Sequence, residues 1–322
     1  MTQYVIRRLL FGVILIFLAS IVSFTILRLS PGEPGAMELD PRLSQQYLDE
    51  YKRIFGLDRP AWKQYLSWLG GVVHGDLGMS IQFKQPVSKL VGSRLGATLV
   101  LNIITLIFTW AVAIPLGTWA AVHQYKLSDK LISVLSFVGM SLPGFFLALV
   151  LLWLFASRSN WLPPGGLTDQ LHHEQMNIAQ KLADYSRHLV IPVVVLTFGA
   201  LAGLQRITRG NLLETLRLQY VTTARAKGLS ERKVVYKHAL RNAINPLVTL
   251  LGFEFAALFS GSALLEIVLN YPGMGQLLLE SLRSKDQFLV MSLFLIGSVL
   301  LVLGNLLAEI LLAWLDPRIS HT

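Results

Sequence analysis

Two carboxylates sit in a stretch that is otherwise apolar: Glu254 and Glu266, within Pro246–Leu269. On a helix their twelve-residue spacing amounts to about 18 Å. A carboxylate at the centre of a bilayer costs at least ~2.5 kcal/mol on insertion scales, so such groups face a bundle interior or a wet cavity. Glu266 is therefore expected to line a water-filled path near the outer mouth. Glu254, deeper from the inner side, is expected either to line that path or to pack as a hydrogen-bonded residue. As a pair they also suit a proton-coupled secondary transporter.

Other reactive side chains carry less chemistry. His74 and Asp76 lie in a Gly-punctuated turn, His74-Gly75-Asp76-Leu77-Gly78. His172 and His173 are adjacent, so on a helix they do not share a face, and they make a poor metal site without further ligands. A solvated loop is the better reading, and no metal site is expected. The chain has no Cys, which excludes disulfides and thiolate ligands. It also lacks a G-x-x-x-x-G-K-[ST] phosphate loop, an H-E-x-x-H helix and a G-x-S-x-G elbow. No catalytic residue is assigned, and this chain is not expected to hydrolyse ATP or hold a cofactor.

The elements that must position these residues follow from hydropathy. Of 322 residues, 53% are hydrophobic and only 15% charged, against roughly a quarter charged in soluble proteins. The mean hydropathy is +0.54. These values indicate an all-α polytopic membrane protein. Six stretches approach the ~20 apolar residues of a spanning helix: Leu9–Leu27, Thr98–Val122, Leu131–Ser157, Leu189–Gln205, Pro246–Leu269 and Phe288–Ala308. The first reads as a retained span, being too long for a cleavable signal. Pro143-Gly144 interrupts the third span and Pro115-Leu116-Gly117 the second, as kinked packing or as a pore-lining segment. The chain thus divides into 1–29 (tail and first span), 30–97 (structured external loop) and 98–322 (a five-helix core containing a cytoplasmic loop, 206–246). In the external loop Trp62, Tyr65 and Trp68 share a helix face, which suits an interfacial helix, a packed cap, or both.

Lys and Arg set the orientation. With the N-terminus inside, the inner segments hold fourteen, nine of them in 206–246, against five in the short outer loops. Both termini are therefore expected in the cytoplasm.

The densest basic segment is YVTTARAKGLSERKVVYKHALRNAINPL, Tyr220–Leu247, with six Lys/Arg and one acid. It suits a tether to anionic lipid, a nucleic-acid patch or a docking knob for a soluble protein. Nucleic-acid binding would call for a larger basic surface with aromatic or amide readers. Gly228 can take the left-handed conformation that ends a helix, and Ser230 is a good N-cap for the next. The spacing predicts a helix over Tyr220–Lys227, with Tyr220, Ala224 and Lys227 on one face and Val221 and Arg225 on another. A turn at Gly228-Leu229 and a second helix from Glu231 toward Pro246 follow. Small residues beside a defined turn suit close approach to another protein's groove slightly better than a lipid tether.

This segment resembles the coupling loop of ABC-importer permeases, whose general pattern is E-A-A, three residues, Gly, nine residues, then I-x-L-P. Aligned on Gly228, only Ala224, Gly228 and Leu240 match; Thr222 and Thr223 replace the first two positions, and His238 and Arg241 the later ones. The dipeptide/oligopeptide/nickel branch fits far better, through TARAKGL at Thr223–Leu229 and HALRNA at His238–Ala243, followed by Pro246. RRLL at Arg7–Leu10, PGEP at 31–34, GLDRP at Gly56–Pro60, HGDLG at His74–Gly78, SLPGFF at Ser141–Phe146, YPGMG at Tyr271–Gly275 and DPR at 316–318 extend the likeness over nearly the whole chain. The resemblance implies a type I importer fold and a bacterial inner-membrane location. It implies a second homologous permease, two ABC ATPases that bind ATP and Mg, and an external solute-binding protein, with a peptide or small solute as cargo. It makes Tyr220, Thr222, Thr223, Ala224, Arg225, Lys227, Gly228 and Leu229 the ATPase-coupling residues. Pro143, Glu254 and Glu266 remain the candidates for the translocation path.

Overall fold

The structure, a computed structural model, describes residues 2–30, 45–247, 250–251, 254 and 262–315. The PGEP and DPR motifs and much of the fifth apolar stretch lie outside them. Among the described residues the regular elements are helical, apart from one isolated bridge between Met79 and Pro86. In chain order they begin with α1 (Thr2–Leu29), α2 (Gln45–Ile54), α3 (Ala61–Val73) and α4 (Val87–Val122). There follow α5 (Leu127–Ser141), α6 (Gly144–Leu151), α7 (Ile178–Thr215) and α8 (Gln219–Ala226). A returning arm, Glu231–Ala243, comes next, then helices Ala263–Val268, Met274–Arg283 and Gln287–Leu315.

Among the described residues four helices are long and apolar enough to cross a bilayer: α1, α4, α7 and the last. The expected third span is a bent pair, α5 and Gly144–Arg158, meeting at 102°. It counts as a fifth crossing if the pair forms one broken span. The cause is local. A residue before proline avoids the helical region, and Leu142 is extended (φ −86°, ψ 125°), so Pro143 opens a new helix. At Pro115 the helix is not broken, and α4 runs through it.

α7 is the organising helix. Half of its most apolar window is buried, against 17% for α1 and α4. Its 38 residues span about 57 Å, well beyond the ~30 Å hydrocarbon core. α4 and α5 pack along it, while α1 packs along the last helix. α4 approaches closely at Gly117, where a Cβ would lie 2.7 Å from the Thr208 Cβ and 2.8 Å from the Gln205 carbonyl oxygen. α5 is fastened by polar contacts. Ser136 Oγ donates to Gln205 Oε1 (2.9 Å), and one turn on Arg209 forks onto Asp129 (2.7 and 2.8 Å). Arg206 and Arg209 therefore belong to helix, and the cytoplasmic loop expected over 206–246 begins only after Thr215.

The segment expected outside forms a packed cap on α1 and the last helix. Trp68, 4% exposed, lies against Phe24 of α1 and Met291 of the last helix. Tyr65 and Ser20 share a hydroxyl hydrogen bond of 2.8 Å, while Trp62 is 61% exposed. Asp286 ties down the chain entering α4 by accepting from Ser80 Oγ and from the Gln82 N–H (3.1 Å). Burial pushes its carboxyl above the usual range.

Candidate coupling site

Where α7 ends, the chain turns through Leu216–Leu218 into α8. Two backbone bonds close α8: Gly228 N–H to the Arg225 carbonyl (2.9 Å) and Leu229 N–H to that of Ala224 (3.4 Å). This is the Schellman pattern, which requires a left-handed residue, and Gly228 has φ +76°. Ser230 opens the arm as expected but makes no side-chain cap bond. Glu231 forks with Arg225 instead, at 2.7 and 3.1 Å. The Arg225 hydrogen bond holds the Glu231 carboxyl below its ordinary range. Both side chains are exposed, so the pair fixes geometry more than it adds stability.

The returning arm is helical, with a π-helical stretch at Val234–Ala239. It packs back on α8 through an apolar cluster of Val221, Ala224, Val234, Ala239 and Ala243, seated on Ala121 of α4 and Leu212 of α7. Tyr220 adds a polar tie, its hydroxyl accepting from Asn242 Nδ2 at 2.7 Å. The hairpin is thus bolted to the ends of two spanning helices.

This geometry corrects the expected phase of α8. Val221 and Ala224 share the buried face, Ala224 being 7% exposed. Tyr220, Thr222, Thr223, Arg225, Lys227, Gly228 and Leu229 form the exposed ridge and tip. Ala224 seats the helix and does not project from it. Sequence reasoning missed Asn242, Val221 and Val234, since a seat formed of Ala and Val beside many charges gives only a weak periodic signal.

The three path candidates lie apart. Pro143 is exposed at the α5–α6 corner. Glu254 is half-buried and accepts from Trp110 Nε1 of α4 at 2.8 Å. Glu266, expected to line a wet path, is buried in this chain. It is 2% exposed, and its Oε2 accepts the Gln276 N–H at 2.6 Å, at the start of helix Met274–Arg283. A carboxylate there is stabilised by unpaired N–H groups and the helix dipole. YPGMG wraps that carboxylate: a Cβ on Gly275 would stand 3.1 Å from its Oε2 and 2.8 Å from the Ala263 nitrogen. Among the described residues no His/Asp/Glu group is arranged to hold a metal.

Comparison with known proteins agrees with this architecture. The family described as "Binding-protein-dependent transport system inner membrane component" matches residues 113–321, and its N-terminal companion matches 1–104. The chain is 38% identical to the oligopeptide transport system permease protein AppB of Bacillus subtilis (strain 168), over all of both chains. It is 33% identical to the glutathione transport system permease protein GsiC of Escherichia coli O6:H1, also over all of both. Among solved structures, the inward-facing MetNI methionine ABC transporter superposes with a TM-score of 0.55, covering 70% of this chain and 96% of that one. At 18% identity that likeness concerns the fold alone, which is that of a type I ABC importer permease. With the two matches spanning nearly its whole length, the chain belongs to the family of inner membrane components of binding-protein-dependent transport systems, and is a transport subunit, not an enzyme.

Proposed function

We propose that this chain is one of two unlike permeases of an ATP-driven peptide importer, supplying half of the translocation path. Two ATPase subunits, holding ATP and Mg, would receive the α8 ridge, and an external solute-binding protein would deliver cargo. Full-length identity to permeases named for oligopeptide and glutathione transport favours peptides. The observation that carries the reading is the hairpin. Its inner face is buried on α4 and α7, while Thr222, Thr223, Arg225, Lys227 and Leu229 stay exposed at its tip. A rigid knob bolted to spanning helices can transmit a push from a soluble partner. Pro143 and Glu254 remain the path candidates, and both termini are assigned to the cytoplasm.

The proton-coupled alternative finds no support. Glu266 is occupied as a helix cap, Glu254 is engaged by Trp110, and the family is named for dependence on a binding protein. Uptake of a radiolabelled oligopeptide should continue when a protonophore collapses the proton gradient and ATP is maintained. Uptake should stop when ATP is exhausted with the gradient intact. The reverse pattern would make the chain a carrier.

A further inference from the structure

At the far end of α7 from the hairpin, Asp184 collects donors from two segments. Its Oδ2 accepts the Asp169 N–H (3.0 Å) and the His173 Nδ1–H (2.7 Å). The Nδ1–H of His188, one turn on, lies 3.2 Å from Oδ1 and 2.9 Å from the Asp184 carbonyl oxygen. An ionised carboxylate only accepts and has about four lone-pair sites, so it can serve these donors at once. Asp169 and His173 both belong to the outer loop between α6 and α7. Asp169 folds that loop on itself by accepting from the N–H groups of Leu171 (2.9 Å) and His172 (3.2 Å).

The same loop grips the segment on its other side. The Gly166 N–H donates to the Leu269 carbonyl at 2.8 Å. A Cβ on Gly165 would overlap that carbonyl, so no larger residue permits the approach. Leu162 and Leu167 rest on the core containing Leu265, Leu269 and Tyr271. The loop therefore bridges the outer end of the fifth apolar stretch and α7. A cavity of about 620 Å³, walled by Asn160, Asp169, Asp184, Arg187, His188 and Asn270 among others, lies between these segments. The loop also packs on α7 through the core that Leu162 and Leu167 share with Leu189 and Ile191, and Arg187 Nη2 donates to the Trp161 carbonyl at 2.6 Å, so Asp184 supplies the directional bonds that set the loop's register on the helix.

We propose that Asp184 is a positioning residue of the transport cycle. It fastens the outer loop, and through Gly166 the Leu269–Asn270 turn, to the helix that carries the coupling hairpin at its other end. Movement imposed on α8 is then delivered along α7 to the outer mouth. The inference rests on the coupling reading above, but concerns the opposite end of the helix.

The test uses the complete transporter reconstituted in lipid nanodiscs, with Gln170→Cys and Arg283→Cys as the spin-labelled pair. The parent chain has no Cys to interfere. The distance between these labels should change when the ATPases are trapped with ATP and vanadate. In Asp184→Asn and in His173→Ala that change should be lost, while the ATPases still co-purify and hydrolyse ATP. Persistence of the change in variants that assemble overturns the proposal, as does its absence in the parent. If Asp184→Asn does not assemble, His173→Ala, which removes only the loop's imidazole, decides. Gly228→Val separates the two readings. If it keeps its ATPases and its outer response, the coupling reading has failed, and the latch falls with it. If it loses both while Asp184→Asn responds like the parent, only the latch is wrong.

Discussion

Glu266 illustrates how a buried carboxylate can find compensation within the protein. A carboxylate in an apolar run must find compensation, and water in a path is one source. Here the source is a helix start, with Gln276 N–H on Oε2 and two glycines giving the chain room to close around it. If the residue fastens the turn before helix Met274–Arg283, its substitutions should act on stability. Glu266→Gln keeps an acceptor but loses the charge at the helix N-terminus, worth about 0.3–1 kcal/mol and up to ~2 when buried. Glu266→Ala leaves buried N–H groups unpaired, which costs about 1–3 kcal/mol. The melting temperature of the detergent-solubilised complex should fall in the order parent, Gln, Ala. Transport per folded complex should hold in the Gln variant. A Gln variant with parent stability and impaired transport would return Glu266 to the path.

At the scale of elements, α8 separates seat from ridge, and two tryptophans should tell them apart. Ala224→Trp forces a large ring into the Val221–Val234–Leu212 seat. Overpacking of this kind costs typically about 1–3 kcal/mol, so it should lower the melting temperature of the permease and loosen the hairpin. Thr223→Trp points outward and should leave stability unchanged while reducing ATPase co-purification. Equal effects of both on stability, with neither affecting co-purification, would contradict the division. The hairpin's turn was legible because left-handed backbone strongly favours Gly, and Gly228 announces it. The phase of α8 was not, because its buried face is only Val221 and Ala224. Likewise Arg206 and Arg209 looked like loop residues, although α7 continues past them and Arg209 meets Asp129 from another helix. A partner eighty residues away leaves no local trace. At Pro143 the site of the break was legible, but its 102° angle was not, since proline fixes where a helix stops and packing fixes where the next one goes.

For the whole molecule, the outstanding physical quantity is the direction of insertion. α7 carries the proposed latch at one end and the proposed coupling hairpin at the other, so placing one end places both. The Lys/Arg balance read from the sequence, fourteen against five, is the ground for the proposal that the hairpin is cytoplasmic, and the structure offers accessible positions at both ends. Asp58, Gln170 and Arg283 are exposed in the outer group; Lys126 and Ser230 are exposed in the inner group. Since the natural chain has no Cys, a single introduced thiol is read without background. In intact cells an impermeant maleimide should label Asp58→Cys, Gln170→Cys and Arg283→Cys. Lys126→Cys and Ser230→Cys should react only after permeabilisation. A long loop is a poor reporter of orientation, so Asp58 is the least decisive of the set and Gln170 against Ser230 the most, because they flank the same continuous helix. Labelling of Ser230→Cys from outside with protection of Gln170→Cys would invert α7, and no cytoplasmic ATPase could then reach the α8 ridge.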